Sequence, residues 1–155
     1  VKIVFTKANS DTGGRIINQM IDEFVLQNKE NCAAYDSLGQ VKYLSVLQFC
    51  KAVIGNSSSG IIEVPSFGIP TVNIGDRQKG RICAESVISC GSATDEIRQA
   101  IQKALSDDMQ KIAKKVQNPY EGENTSETII KVIEQSLEHG IHIKKEFYNI
   151  EHVGE

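Results

Sequence analysis

AVIGNSSSGIIEVPSFGIPTVNIGDRQKGR, residues Ala52–Arg81, reads as two strand-and-loop units in succession. An apolar run, Ala52–Gly55, leads into a polar loop, Asn56–Gly60, and then a helical pattern around Ile61–Phe67. A second apolar run, Thr71–Ile74, leads into a basic loop bounded by glycines, Gly75–Arg81. Short apolar runs between turn residues are what buried strands of a parallel sheet look like in sequence. Ligands of open α/β sheets bind where loops leave the carboxyl ends of strands. This stretch therefore predicts both the fold class and the place to look for a site.

The same alternation extends to both sides of it. Lys2–Thr6, β-branched at Ile3 and Val4, predicts a buried strand, followed by a loop of turn residues at Lys7–Gly14. In Arg15–Gln27 the apolar residues Ile16, Ile17, Met20, Ile21, Phe24 and Val25 form one face of an amphipathic helix. Cys32–Tyr35 is a short strand, Asp36–Gly39 a turn, and Val41–Cys50 a helix with Tyr43, Leu44, Leu47 and Cys50 along one stripe. Downstream, a strand is expected at Ser86–Ser89 and helices at Thr94–Leu105, Asp107–Val116 and Ser126–Leu137, the last capped by Thr125 or Ser126. Asn118–Gly122 breaks the pattern, and Ile141–Glu155 has no clean period. Strands alternating with helices argue for an α/β, Rossmann-like parallel sheet with helices on both faces and right-handed crossovers.

Composition bounds the function. The 155 residues are enough for one domain with a core of its own. A net charge of −3 gives no overall attraction to nucleic acid or to an acidic membrane. No apolar run approaches the roughly 20 residues of a membrane span. Cys32, Cys50, Cys83 and Cys90 lack metal-ligand spacing, and Cys32 and Cys50, inside apolar patterns, are expected to be buried thiols. The three histidines, His139, His142 and His152, fall in the last 17 residues and read as a solvated tail, so no metal is expected. The chain opens on a strand without a methionine, which suits a piece of a longer protein.

The central loops carry the chemistry. Asn56–Gly60 places hydroxyls and backbone N–H groups just after a strand and near a helix start, where unpaired amides and the helix dipole favour an anion. Gly60 would let the backbone approach a ligand closely. The loop is not a P-loop, and it reads equally well as a serine-rich helix cap. Glu63 offers acceptors enough for two vicinal hydroxyls, as a carboxylate that reads a ribose does, or it completes a capping-box-like turn. Pro65 predicts a kink or a later helix start. Three cations in five residues, Arg77, Lys79 and Arg81, suit a diphosphate clamp when set beside the serine loop. In the first loop Asn9, Ser10, Asp11 and Thr12 either face a ligand or cap the next helix.

The run Gly55-Asn56-Ser57-Ser58-Ser59-Gly60-x-x-Glu63-Val64-x-x-Phe67-Gly68-x-Pro70-x-x-Asn73-x-Gly75-x-Arg77-Gln78-x-Gly80-Arg81 closely resembles the UDP-N-acetylglucosamine 2-epimerases. It looks like their hydrolysing, sialic-acid-pathway branch, and it lacks the Asp-Ser-Gly-Gly loop of the non-hydrolysing branch. VFTKANSDTGGRIIN at Val4–Asn18 and KKEFYNI at Lys144–Ile150 are similar to bacterial members of the same branch. The resemblance implies the C-terminal half of a glycosyltransferase-B fold. On that reading residues 1–140 form a UDP-binding domain, and residues 141–155 a tail that packs on an N-terminal domain of the same enzyme.

The resemblance also implies roles. Ser57 and Ser58 meet the diphosphate, Glu63 the ribose hydroxyls, and Arg77 the diphosphate or the sugar. The turn at Ser37, Leu38 and Gly39 meets the uracil, and Asn9 and Asp11 face the sugar. The implied chemistry is elimination of UDP across C1–C2 to a 2-acetamidoglucal, then hydration with inversion at C2, releasing N-acetylmannosamine and UDP. It needs no cofactor. The implied carboxylates and histidine of catalysis lie outside this chain, so the chain alone is expected to be inactive. The expected partner is a UDP-sugar, the expected compartment the cytoplasm, and homo-oligomers are compatible with the pattern. The donor-nucleotide domain of a UDP-sugar glycosyltransferase, which shares the fold, is the alternative reading, together with the non-hydrolysing epimerases.

Overall fold

The computed structural model describes residues 1–9 and 13–140. The expectations for Ser10, Asp11 and Thr12, for the tail 141–155 with KKEFYNI, and for His142 and His152 lie outside the described residues. The chain forms two compact units, Val1–Pro119 and a second that begins at Tyr120.

In the first unit the elements follow the predicted order. Strands β1 (Ile3–Thr6), β2 (Cys32–Tyr35), β3 (Val53–Gly55), β4 (Thr71–Ile74) and β5 (Val87–Cys90) alternate with helices. The helices are α1 (Gly14–Gln27), α2 (Gly39–Leu47), α3 (Ser59–Ile62), α4 (Thr94–Ala104) and α5 (Asp107–Ala113). A 3-10 turn over Val64–Phe67 follows α3. The second unit contributes α6 (Thr125–His139), amphipathic and exposed along its length. Its cap is Asn124, in the left-handed region, rather than Thr125 or Ser126. Likewise α1 has Gly13 at its N-cap position, not one of the three polar residues before it.

Among the described residues all strand pairings are parallel, as the alternation requires. Among the described residues they fall into two ladders, β2–β1 and β3–β4–β5. Strand β4, in the middle of its ladder, shows why an apolar strand run marks a sheet covered on both faces. Val72 and Ile74 point to one side, where Val72 packs with Ala100 and Ala104 of α4. Thr71 and Asn73 point to the other, and Thr71 Oγ1 donates to the Gly60 carbonyl of α3 at 2.7 Å. A second cluster, Leu47, Val64 and Ile69, joins α2 to the 3-10 turn and takes Tyr43, Leu44 and Val53 against it.

Strand β1 departs from its expected burial. Ile3 and Val4 are 39% and 46% exposed: among the described residues β1 pairs only with β2, and a two-stranded ladder gives its side chains fewer neighbours than the three-stranded ladder gives those of β4. The cysteines are all free; Cys32 and Cys50, expected buried, are half-buried, as is Cys90, and Cys83 is exposed. Pro65 does interrupt the helix, but not by delaying its start: α3 begins at Ser59, stops at Ile62, and the backbone tightens to 3-10 geometry around the proline. Asn118, buried, spans this break by donating to the Ile62 carbonyl at 2.8 Å and to Ser66 Oγ at 2.7 Å.

Candidate functional site

The parallel register of β3 and β4, Gly55 opposite Asn73, sends the serine loop and the basic loop out of the same end of the sheet. Beside them opens a cavity of about 580 Å³. Its walls are Thr6–Asn9 after β1, Ile17 and Ile21 of α1, Tyr43 of α2, Val53–Ser57 of β3 and its loop, and Arg77 of the basic loop. The cavity therefore lies at the carboxyl ends of β1 and β3, apolar on the helix side and polar at the loops. A smaller cleft of about 380 Å³ lies between Cys83–Glu85, just before β5, and Lys115–Pro119, after α5.

The structure brings Asn9, Ser57 and Arg77 together around the larger cavity. Arg77 and Asn9 are exposed, and neither has a recorded side-chain partner among the described residues. Ser57 is exposed, and its Oγ accepts weakly from the Ser59 N–H at 3.4 Å. Ser58 is the N-cap residue of α3, half-buried, and does not line the cavity. Glu63 sits between α3 and the 3-10 turn, half-buried and likewise outside the lining. Ser37 and Leu38 occupy the turn after β2, where Ser37 Oγ accepts from the Gly39 N–H at 3.1 Å, and they too lie outside it. Asp11 is not among the described residues.

Two details revise the sequence reading of the serine loop. With only four residues, α3 has almost no macrodipole, so hydroxyls and Arg77 rather than a helix terminus supply what an anion would meet here. Gly60 does line the cavity, but its missing side chain is required on the strand side: a Cβ would stand 2.7 Å from Thr71 Cγ2.

Three residues without an assigned role shape the site. Lys7 lines the cavity and is held by Asp22 at 3.0 Å and Asp36 at 3.5 Å. The hydrogen bond with Asp22 is the main reason its pKa is raised. The signal was in the parallel register, which sets Thr6 opposite Tyr35 and so Lys7 beside Asp36, but sequence alone does not reveal register. Asn18 clamps the first loop, accepting from the Ala8 N–H at 2.8 Å and donating to the Ala8 carbonyl at 3.1 Å. Tyr43 belongs to the apolar stripe of α2, yet its hydroxyl accepts a hydrogen bond from Ser59 Oγ. Burial pushes the Tyr43 phenol up; the Ser59 hydrogen bond opposes this, and the charge of Glu63 adds to it. Among the described residues no group of three or more His, Cys, Asp or Glu side chains could hold a metal ion.

A parallel α/β unit with a polar, cation-bearing cavity at its strand ends defines a Rossmann-like domain. The crystal structure of Methanocaldococcus jannaschii UDP-GlcNAc 2-epimerase in complex with UDP-GlcNAc and UDP has the same fold, with a TM-score of 0.63 at 14% identity over 86% of this chain and 36% of that one. The chain belongs to the UDP-N-acetylglucosamine 2-epimerase family, whose family model matches residues 1–134. It is 45% identical over 101 residues to the GDP/UDP-N,N'-diacetylbacillosamine 2-epimerase (hydrolyzing) of Campylobacter jejuni, covering 65% of this chain and 26% of that protein. It is 33% identical over 147 residues to the Escherichia coli polysialic acid biosynthesis protein P7, covering 95% of this chain and 37% of that protein. The chain thus spans 26–37% of the length of these curated relatives.

Proposed function

We propose that this chain is the nucleotide-holding part of a hydrolysing UDP-sugar 2-epimerase. The observation that carries the reading is the single cavity onto which Ser57, Arg77 and Asn9 all open, at the carboxyl ends of parallel strands. Arg77 supplies the fixed positive charge and forked donors that suit a diphosphate. Ser57 supplies a hydroxyl to the same oxygens, and Ser58, next to it but outside the cavity lining, is proposed to add a second. Beyond the cavity lining, Glu63 takes the ribose hydroxyls and Ser37 and Leu38 the uracil, while Asn9, on the lining, takes the sugar with Asp11.

In this reading the chain stabilises the leaving group. Elimination breaks the C1–O bond, and the electron pair leaves with UDP, whose growing negative charge meets Arg77. The proton removed at C2 goes to a base supplied from outside this chain, and water then adds to the glucal to give the free 2-epimer. The enzyme works in the cytoplasm, where nucleotide sugars are made. The sugar is N-acetylglucosamine or a modified 4-amino-6-deoxy analogue, and similarity to a diacetylbacillosamine enzyme makes the latter worth testing first.

Incubating the full-length enzyme with both UDP-sugars should release free UDP and a free 2-epimerised sugar from one of them. Formation of an epimerised nucleotide sugar instead would move the protein to the non-hydrolysing class. Transfer of the sugar to an acceptor, with no free sugar formed, would identify a glycosyltransferase. For this chain, calorimetry should detect UDP binding that Arg77→Ala or Glu63→Ala weakens about tenfold or more; unchanged affinity in both variants removes the site assignment.

A further inference from the structure

The basic loop holds a residue whose behaviour differs from its neighbours. Arg77 and Lys79 are exposed, as charged loop residues usually are, but Gln78 between them is only 7% exposed. Its Nε2 donates to the Asn56 carbonyl at 2.8 Å. Asn56 is the first residue past β3, so its carbonyl lies beyond the three registered pairs of the β3–β4 ladder. An uncharged amide turned inward from a charged loop, to a backbone acceptor across 22 residues of sequence, is a tie between two loops.

The tie acts on both loops at once. The basic loop hangs between Gly75 and Gly80, both in the left-handed region at φ +76° and +86°. Its internal bonds are the turn-type contacts Lys79 N–H to Asp76 carbonyl and Arg81 N–H to Gln78 carbonyl. Those contacts shape the loop locally, while the Gln78 side chain fixes where it stands relative to the serine loop. On the other side, the Asn56 carbonyl and the Ser57 N–H belong to one trans peptide and point in opposite directions. Holding the carbonyl toward Gln78 therefore turns the Ser57 N–H away from it, and that N–H has no acceptor among the described residues.

We propose that Gln78 is a positioning residue for the anion: its bond to Asn56 locks Arg77 and the Ser57 peptide into one unit that receives the diphosphate. This rests on the proposed function, because the anion is the diphosphate of UDP. Arg77 then binds well only while Gln78 holds its loop.

The test is a double-mutant cycle read by UDP calorimetry on the full chain. Gln78→Met keeps length and volume but removes the donor. It should weaken UDP binding about tenfold in the parent and clearly less, about threefold, in the Arg77→Ala background, since only the Ser57 peptide is then left to position. An equal loss in both backgrounds, or no loss in the parent, overturns the proposal. Gln78→Glu provides an independent arm should Gln78→Met not fold. Its carboxylate faces a carbonyl and cannot donate, whereas its protonated form can. Its deficit relative to the parent at the same pH should shrink as pH falls through the carboxyl's titration; a deficit that is absent or constant with pH counts against the tie. A parent chain that binds no UDP overturns the proposed function itself, which a normal parent with an indifferent Gln78→Met variant does not.

Discussion

Tyr43 belongs at once to the apolar stripe of α2 and to the wall of the cavity. Its ring packs with the Leu47, Val64 and Ile69 cluster, while its hydroxyl holds Ser59 at the start of α3. Removing the hydroxyl alone should cost about 1 kcal/mol near neutral pH, the usual net value of one hydrogen bond. The pH dependence is more diagnostic. Burial raises the folded pKa of the phenol above its ordinary value, so the folded state holds that proton longer than the unfolded one. The stability this contributes is complete below about pH 10, the unfolded value, and is lost as pH rises through the folded pKa. Denaturant unfolding at several alkaline pH values should show the parent losing stability more steeply above about pH 10 than Tyr43→Phe. Parallel curves would mean that the phenol is not perturbed by folding.

At the scale of elements, the decisive contact is α3 against β4. The serine loop can stand where it does only because Gly60 lets α3 settle onto Thr71. Thr71 cannot yield: it is β-branched, 2% exposed, and its hydroxyl is bonded to the Gly60 carbonyl. Gly60→Ala should therefore destabilise the chain by about 1–3 kcal/mol, the usual cost of overpacking a core, and should weaken UDP binding by displacing Ser57. Thermal unfolding and calorimetry on one preparation check both, and a stable variant with normal binding would show that α3 has room to shift. The interval from Ala52 to Arg81 was legible as strand, loop, helix, strand, loop because burial on both faces leaves continuous apolar runs. The exact division of the helix was not, because Pro65 sets a local geometry that propensity describes only as a break.

For the whole molecule, ligand binding should be visible as stability, since a ligand that binds only the folded state adds RT ln(1 + [L]/Kd). At a hundredfold excess over Kd, UDP should add about 2.7 kcal/mol. For a chain of this size that corresponds to a rise in melting temperature of about 5–10 °C. Uridine at the same concentration should give a clearly smaller shift, because it lacks the phosphates proposed to meet Arg77 and Ser57. Equal shifts would remove the diphosphate from the account. The rise must be read on the first unit, Val1–Pro119, which contains the whole cavity.

By itself the sequence determined the element order, the parallel α/β class and the two loops at the strand ends. Each of these is written in local periodicity, in short apolar runs and in turn residues. The motif from Gly55 to Arg81 was enough to suggest the family to which the chain belongs. Tertiary structure alone decided which of the chosen residues meet. It gathered Asn9, Ser57 and Arg77 on one cavity and left Ser58, Glu63, Ser37 and Leu38 outside its lining. It also gave Lys7 its two carboxylates, Tyr43 its serine and Gln78 its carbonyl. These partners lie 15 to 29 residues apart, from Lys7 with Asp22 and Asp36, through Tyr43 with Ser59, to Gln78 with Asn56. Such pairings depend on strand register and on how closely a helix can approach a sheet, and neither quantity is carried by a local pattern of residue types.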